Sequence, residues 1–258
     1  MLLTIDAGNT NVTFAIFENK TRKSLWRIKT DAARTADEYI SFLLPLLDNA
    51  KIKPSAVKDI IISSVVPDAN FSLRMLCHGA FQIRPLFIGK DIVDLGIIIK
   101  TDKPEDVGAD RIVNAVGVLE FYKAPAIVVD FGTATTFDIW DSSGAFAGGV
   151  IAPGVNLSLN ALHMAAAKLP KVSISRPQTV IGKNTISAMQ SGVYWGYVEL
   201  IAGMLTRIKA ELNADPIVIA TGGLSPLFQE SIPAISIIDE DLTLKGLLTI
   251  HHKYKNKV

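Results

Sequence analysis

Two aspartates each close a short apolar run and open nearly the same phrase, Asp6-Ala7-Gly8-Asn9-Thr10-Asn11 and Asp130-Phe131-Gly132-Thr133-Ala134-Thr135. Leu2-Leu3-Thr4-Ile5 and Ala126-Ile127-Val128-Val129 read as buried strands, so each carboxylate is expected where a strand hands over to a turn. The two copies lie about half of the 258-residue chain apart. That spacing predicts a duplicated domain with a nucleotide held between the halves.

Each part of the phrase has a physical job. Gly8 and Gly132 permit tight backbone geometry and let N–H groups approach phosphate oxygens, because no Cβ stands in the way. Asn9, Thr10, Thr133 and Thr135 supply neutral donors. Aspartates repel phosphate directly, so they read as holding a cation that meets it. One Asp-x-Gly is an ordinary turn; two in the same strand context favour the ligand reading.

The chain is long enough for one large domain or two small ones, each with its own core. With 49% hydrophobic residues and a mean hydropathy of +0.32, burial is ample and disorder is not expected. The balance of 26 Lys and Arg against 25 Asp and Glu offers no basic field for nucleic acid. Partners are therefore expected to be small molecules or other protein chains. The lone cysteine, Cys77, fits a reducing compartment and reads as core filling. No basic leader precedes Leu2, and no apolar run approaches the roughly 20 residues of a membrane span. A soluble, cytoplasmic protein with no membrane partner is the expectation.

Alternation in 12–17 and 25–29 adds two strands to the first, an antiparallel meander. Helical spacing from Thr35 to Asn49 carries a capping box, with Thr35 as N-cap and Glu38 three residues on. A buried strand over 59–66, a helix over 68–79 and a short strand over 85–88 follow. Three strands, helix, strand, helix, strand is the order of a ribonuclease-H-like domain. The second half repeats it, with strands at 126–130, 136–140 and 145–151, helices at 155–167 and about 185–212, a strand at 216–220 and a closing helix at 242–251. The fold class expected is α/β: two tandem ribonuclease-H-like domains, 1–120 and 121–258, each with a mixed five-stranded sheet and helices on both faces. The nucleotide is expected in the cleft between them.

Gly108-Ala109-Asp110-Arg111 starts the helix running to about Tyr122, after the breakers Pro104 and Gly108. Asp110 then lies in the first turn, where negative charge is favoured and free N–H groups point outward. Arg111 can clamp a carboxylate with two N–H bonds. On the residues alone, a helix-stabilising acid and a site carboxylate both stand. Gly148 to Gly154 reads as a cleft lining or a strand-to-helix corner, and Thr221-Gly222-Gly223 as a ligand site at a strand's carboxyl end or a plain helix start. Thr185 is a candidate N-cap for the long helix. Met189, Val193, Gly196 and Leu200 follow with helical spacing, a stripe suited to core or dimer surface, and Gly192, Gly196 and Gly203 would admit another helix. The four histidines show no zinc-ligand spacing. Neither a P-loop nor a dinucleotide-binding glycine motif occurs.

Together these segments resemble the type III pantothenate kinases, members of the superfamily that holds acetate kinase, sugar kinases and actin. The resemblance rests on the two aspartate phrases, on Gly108-Ala109-Asp110-Arg111, on the Gly148-Gly149-x-Ile151-x-Pro153-Gly154 and Ile181-Gly182-Lys183-Asn184-Thr185 segments, and on Thr221-Gly222-Gly223. It implies transfer of the γ-phosphoryl group of ATP to pantothenate, giving 4′-phosphopantothenate, the step that commits carbon to coenzyme A. By the resemblance, Asp6, Ala7, Gly8, Asn9, Thr10, Asn11, Val12 and Thr13 hold ATP phosphates and Mg²⁺, with Asp6 at the metal and Thr133 a further ATP contact. Gly108, Ala109, Asp110, Arg111 and Thr185 hold pantothenate, and Asp110 is the catalytic base. Asp130 binds a monovalent cation, K⁺ or NH₄⁺, and the protein is a homodimer.

One position departs from the family pattern: Thr101 stands where many members carry tyrosine, which bears on how pantothenate is gripped. Two other functions fit the same fold. One is a related kinase acting on another small hydroxylated or carboxylate substrate, and the other is a nucleotide-binding accessory regulator without turnover. Asp6, Asp110 and Asp130 together argue against the latter, since a binding module has no evident use for the Asp110 carboxylate.

Overall fold

A computed structural model describes residues 1–91, 95–166 and 169–256. Strands β1 (Leu2–Ala7), β2 (Asn11–Glu18) and β3 (Thr21–Lys29) are followed by α1 (Ala36–Asn49), β4 (Asp59–Ser64), α2 (Asn70–Phe81), β5 (Leu86–Phe87) and α3 (Ala109–Phe121). The pattern recurs as β6 (Ala126–Phe131), β7 (Ala134–Trp140), β8 (Phe146–Pro153), α4 (Val155–Ala165), α5 (Thr185–Leu212), β9 (Ile217–Thr221), α6 (Ser225–Phe228), β10 (Ile237–Ile238) and α7 (Leu242–Lys255). Each half forms a mixed five-stranded sheet of identical topology, β3-β2-β1-β4-β5 and β8-β7-β6-β9-β10. In both, the first three strands are antiparallel and the last two join in parallel. The duplicated ribonuclease-H-like α/β fold follows directly from that order.

The chain does not divide by a single cut. One compact unit comprises Met1–Ile97, Lys103–Phe121 and Leu242–Val258, the other Ile98–Asp102 and Tyr122–Asp241. The closing helix α7, in the second half by position, thus packs within the first unit. Glycines let it do so: a Cβ on Gly246 would stand 2.2 Å from the Val113 carbonyl oxygen of α3, and one on Gly117 2.9 Å from Leu242. Thr243 Oγ1 also donates to Asn114 Oδ1 at 2.7 Å.

In the first unit, strand alternation sorts the side chains into two cores, because successive residues point to opposite faces. Leu3, Ile5, Ala7, Val12, Phe14 and Ile62 pack with Tyr39, Leu43 and Leu47 of α1 and Leu73, Leu76 and Cys77 of α2. Leu2, Ala15, Phe17 and Ile61 pack on the other face with Val113 and Val116 of α3 and Leu244, Leu247 and Leu248 of α7. Truncating fully buried Leu43 to alanine should destabilise the unit by about 2–5 kcal/mol. The capping box of α1 is present, Glu38 N–H donating to Thr35 Oγ1 and Thr35 N–H to Glu38 Oε2. Burial pushes the Cys77 thiol up to about 12, consistent with a packing role.

In the second unit, Tyr194, Tyr197, Val198, Ile201, Leu205 and Ile208 of α5 cover Ile127, Val129, Phe137 and Val218. This seam is rotated from the stripe expected from sequence. Met189 is buried, but Gly192 and Gly196 lie on the exposed side with open space beside them. The N-cap of α5 is Asn184, one residue before Thr185: its Oδ1 accepts from Ser187 N–H, and Ser187 Oγ accepts from Asn184 N–H. Both residues are good caps, and the backbone picks the one whose φ/ψ is extended. Of the expected 155–167 helix, Ala167 lies outside the described residues. Among the described residues no helix is long and apolar enough to cross a membrane.

Candidate active site

Asp6 is the penultimate residue of β1, on the face that α3 and α7 cover. Its cross-strand partners are Thr13 on β2 and Ser63 on β4, so the carboxylate emerges between two hydroxyl-bearing strands. Asp6 Oδ1 and Ser63 Oγ are both buried, and the Ser63 hydroxyl is the neighbour placed to serve the carboxylate. Burial, reinforced by the charge of Asp110, raises the Asp6 pKa to about 7, while the Ser63 hydroxyl pulls the other way. A carboxylate so desolvated suits a cation more than it suits an empty interior.

The turn after Asp6 is tied on three sides. Gly8 N–H donates to Asn11 O at 3.0 Å, Thr30 N–H to Thr10 O at 2.8 Å, and Val65 N–H to Ala7 O at 3.0 Å. Thr30 Oγ1 adds a 2.6 Å bond to Gly8 O. Asn9, Thr10 and Asn11 are exposed at its tip, whereas Ala7 and Val12 are core side chains. Ala7 and Val12 can therefore serve a ligand only through their backbone.

Asp110 stands in the first turn of α3, and its Oδ1 accepts from the Arg111 N–H at 2.8 Å. A Cβ on Gly108 would come within 2.6 Å of the same oxygen. Glycine at 108 thus clears the space that the carboxylate fills. Ala109 packs against the core beneath α3, which fixes the turn, and the Asp110 charge is near enough to be felt at Asp6. The interleaved motif needs each of its small residues for a separate reason.

In the second unit Asp130 repeats the geometry of Asp6. Its cross-strand partners are Thr136 on β7 and Thr221 on β9, again two hydroxyl-bearing strands. The turn is closed by Gly132 N–H to Ala134 O at 3.1 Å. Asp6 pairs with Thr13 and Asp130 with Thr136, so the second hairpin is one residue shorter. Gly222, at φ +87°, sits against the carboxylate: a Cβ there would lie 2.6 Å from Asp130 Oδ1 and 2.7 Å from Phe131 O. A carboxylate oxygen and a carbonyl oxygen thus approach the same glycine. Thr133 is exposed, but Thr135 is fully buried and faces no solvent ligand.

Gly148 to Gly154 proves to be a strand-to-helix corner seated on that turn, since a Cβ on Gly154 would stand 2.1 Å from Thr133 O. Gly182 is similarly constrained by the first turn of α5, with Ala188 N 2.3 Å from its would-be Cβ. Thr185 is exposed on that turn, in the second unit and away from the Asp130 cluster in sequence. The structure thus brings Asp6 together with Gly108 and Asp110, and Asp130 with Gly132, Thr133 and Gly222. Ser63 escaped the sequence reading; its only signal was a Ser-Ser pair ending an otherwise aliphatic strand.

Among the described residues no cluster of three histidine, cysteine or acidic side chains forms a metal cage. Mg²⁺ delivered with nucleotide phosphates needs only one or two protein carboxylates, and the buried Asp6 carboxylate is a group that could supply one.

The profile of the type III pantothenate kinases matches residues 2–207. A type III pantothenate kinase of Paramagnetospirillum magneticum is 53% identical over 258 residues, covering 100% of this chain and 99% of its own. That of Rhodospirillum rubrum is 55% identical over 253 residues, covering 98% of each. Among solved structures, a Campylobacter jejuni protein assigned to the Baf family of transcriptional activators matches with a TM-score of 0.59, 19% identity and full coverage of both chains. An activator of 2-hydroxyisocaproyl-CoA dehydratase from Clostridium difficile, bound to ADPNP, matches with a TM-score of 0.53, 10% identity and coverage of 100% of this chain and 97% of that one. These two likenesses speak for the fold. With the family profile spanning most of the sequence and full-length relatives at more than half identity, the chain belongs to the type III pantothenate kinase family.

Proposed function

We propose that this chain transfers the γ-phosphoryl group of ATP to pantothenate, forming 4′-phosphopantothenate for coenzyme A synthesis. The observation that carries the reading is that the carboxylates of Asp6 on β1 and Asp110 on α3, two separate elements, lie near enough for the charge of one to raise the pKa of the other. A purely binding protein gains nothing from that repulsion, whereas a kinase uses one carboxylate for metal and the other for the attacking hydroxyl.

In this reading Asp6 holds Mg²⁺ and the Gly8 to Asn11 turn presents N–H and side-chain donors to the phosphates. Asp130 holds K⁺ or NH₄⁺, and Thr133 contacts ATP. When bound, these cations offset the charge on the phosphate oxygens. Phosphoryl transfer has a loose transition state, so alignment and charge placement supply most of the catalysis. Asp110 orients the primary hydroxyl of pantothenate and takes its proton. Arg111 pairs with the pantothenate carboxylate and sets the hydroxyl in line, with Gly108, Ala109 and Thr185 completing the contacts.

A homodimer in the cytoplasm completes the proposal. Its support is a set of exposed apolar residues in the second unit, Ile151, Leu157, Met164, Val180, Ile181 and Ile186, together with the open glycine side of α5. These are the residues that a partner copy would cover in such a dimer.

ATP consumption with pantothenate, with sugars and with acetate, each in K⁺, NH₄⁺ or Na⁺, tests the assignment. Turnover that needs pantothenate and rises with K⁺ or NH₄⁺ is expected. Turnover with a sugar or acetate instead would move the substrate assignment, and nucleotide binding without turnover would favour the regulator.

A further inference from the structure

The long helix α5 carries Thr185 at one end, and three turns further on it presents Tyr197 to the corner between β8 and α4. Tyr197 is buried, and its Oη donates to the Pro153 carbonyl at 2.6 Å. A phenol has one proton, so the Ser158 hydroxyl 2.6 Å away must donate to Tyr197. The phenol thus fastens both sides of the corner, the last residue of β8 and the first turn of α4.

That corner is in turn the seat of the turn after Asp130. Pro153 pairs with Ala134 across the β7–β8 ladder. Gly154 lies so close to the turn that a Cβ would be 2.1 Å from Thr133 O and 2.8 Å from Gly132 O. Corner and turn meet backbone to backbone there, with no side chain between them. A displacement of Pro153 therefore passes to Gly132 and Thr133.

We infer that Tyr197 is a positioning residue for the Gly132-Thr133 turn, through the Pro153-Gly154 corner, and that it ties the substrate helix α5 to the cation and ATP turn. The functional half rests on the roles proposed for Asp130 and Thr133; the mechanical half does not. Removing the hydroxyl takes the donor from the Pro153 carbonyl and the acceptor from the Ser158 hydroxyl, so the corner between β8 and α4 loses the group that fastens its two sides.

Tyr197→Phe tests both halves, with Tyr194→Phe as the control. Tyr194 is about one turn earlier on the same helix, also buried, and its Oη bonds Leu227 O and Ser231 Oγ away from the corner. Amide exchange reads the mechanics: Gly132 N–H should exchange faster in Tyr197→Phe than in wild type or Tyr194→Phe, with Gly8 N–H unchanged as the internal reference. Steady-state kinetics read the function. KM for ATP and the K⁺ concentration for half activation should rise about 2- to 10-fold, the span of one neutral hydrogen bond, with KM for pantothenate unchanged and a melting temperature like that of Tyr194→Phe. Unaltered exchange at Gly132 in Tyr197→Phe overturns the inference, as do equal kinetic changes in the two variants. A wild type that K⁺ and NH₄⁺ do not activate removes the Asp130 role instead, and the exchange result still decides the link.

Discussion

A Cβ on residue 108 would stand 2.6 Å from Oδ1 of Asp110, well inside van der Waals contact. Glycine at 108 and aspartate at 110 are thus one device: the first makes the space that the second occupies. Gly108→Ala should push the carboxylate aside without unfolding α3, whose fully buried contacts, Val113 to Val118, lie further along. Turnover should fall by ten- to a hundredfold, the order expected of a displacement near 1 Å at the reacting groups, with little change in melting temperature. Steady-state kinetics beside a thermal melt will show whether the two effects separate.

Asp6 makes the metal-free protein sensitive to alkaline pH. Its carboxyl is raised to about 7 in the folded chain, from 3.8 in the ordinary state. A raised acid contributes stability that is complete below pH 3.8 and is lost as pH climbs through about 7. Without Mg²⁺, Asp6→Asn should therefore melt higher than wild type at pH 8 and show a smaller gain near pH 4. The same variant should bind Mg·ATP more weakly. Unchanged nucleotide affinity would remove the role given to the first turn.

His251 gives the opposite slope. It is buried on α7, and burial lowers its pKa from the usual 6.5. Asp59, whose Oδ2 lies 3.6 Å from Nε2, favours the charged ring, while His252 and Lys255 oppose it. Because the unfolded chain takes up the proton first, stability should fall as pH drops through 6.5 towards the depressed folded value. His251→Leu, which keeps the site apolar, should flatten that decline in urea titrations between pH 7.5 and 5.5.

Gly222→Ala joins two penalties at one position. The backbone there has φ +87°, and the new Cβ would meet both Asp130 Oδ1 and Phe131 O. Loss of about 1–3 kcal/mol of stability is expected from the conformation alone. The half-activating K⁺ concentration should also rise, since the carboxylate must move. A K⁺ titration of activity that overlays wild type would exclude Asp130 from cation binding.

Much of this molecule was legible in the sequence for specific reasons. Apolar runs ending in Asp6 and Asp130 could only be strands running into turns, and Thr35 with Glu38 wrote the start of α1 in local chemistry. The duplicated sheet order followed from repeating those strands. What escaped depended on partners distant in sequence. The seam of α5 is apolar on more than one side, so periodicity alone could not choose Tyr194, Tyr197 and Ile201 over Met189 and Val193. Nothing in 242–255 says that α7 docks on α3 of the first unit; Gly246 and Gly117 acquire meaning only once Val113 and Leu242 lie against them. The two-residue β10 is too short to leave an alternation. Among site residues, Gly154, Gly182 and Gly222 were visible as glycines, but the atoms that require them were not.

Asp110 is proposed to take the proton of the attacking hydroxyl at a site whose metal carboxylate is Asp6. Rapid-quench measurement of a single turnover, with Asp110→Asn saturated with Mg·ATP and pantothenate and both affinities determined by calorimetry, tests it most directly. The expected result is near-wild-type affinity for both ligands with phosphoryl transfer slowed by about two powers of ten or more. Transfer at the wild-type rate in that variant would contradict the account.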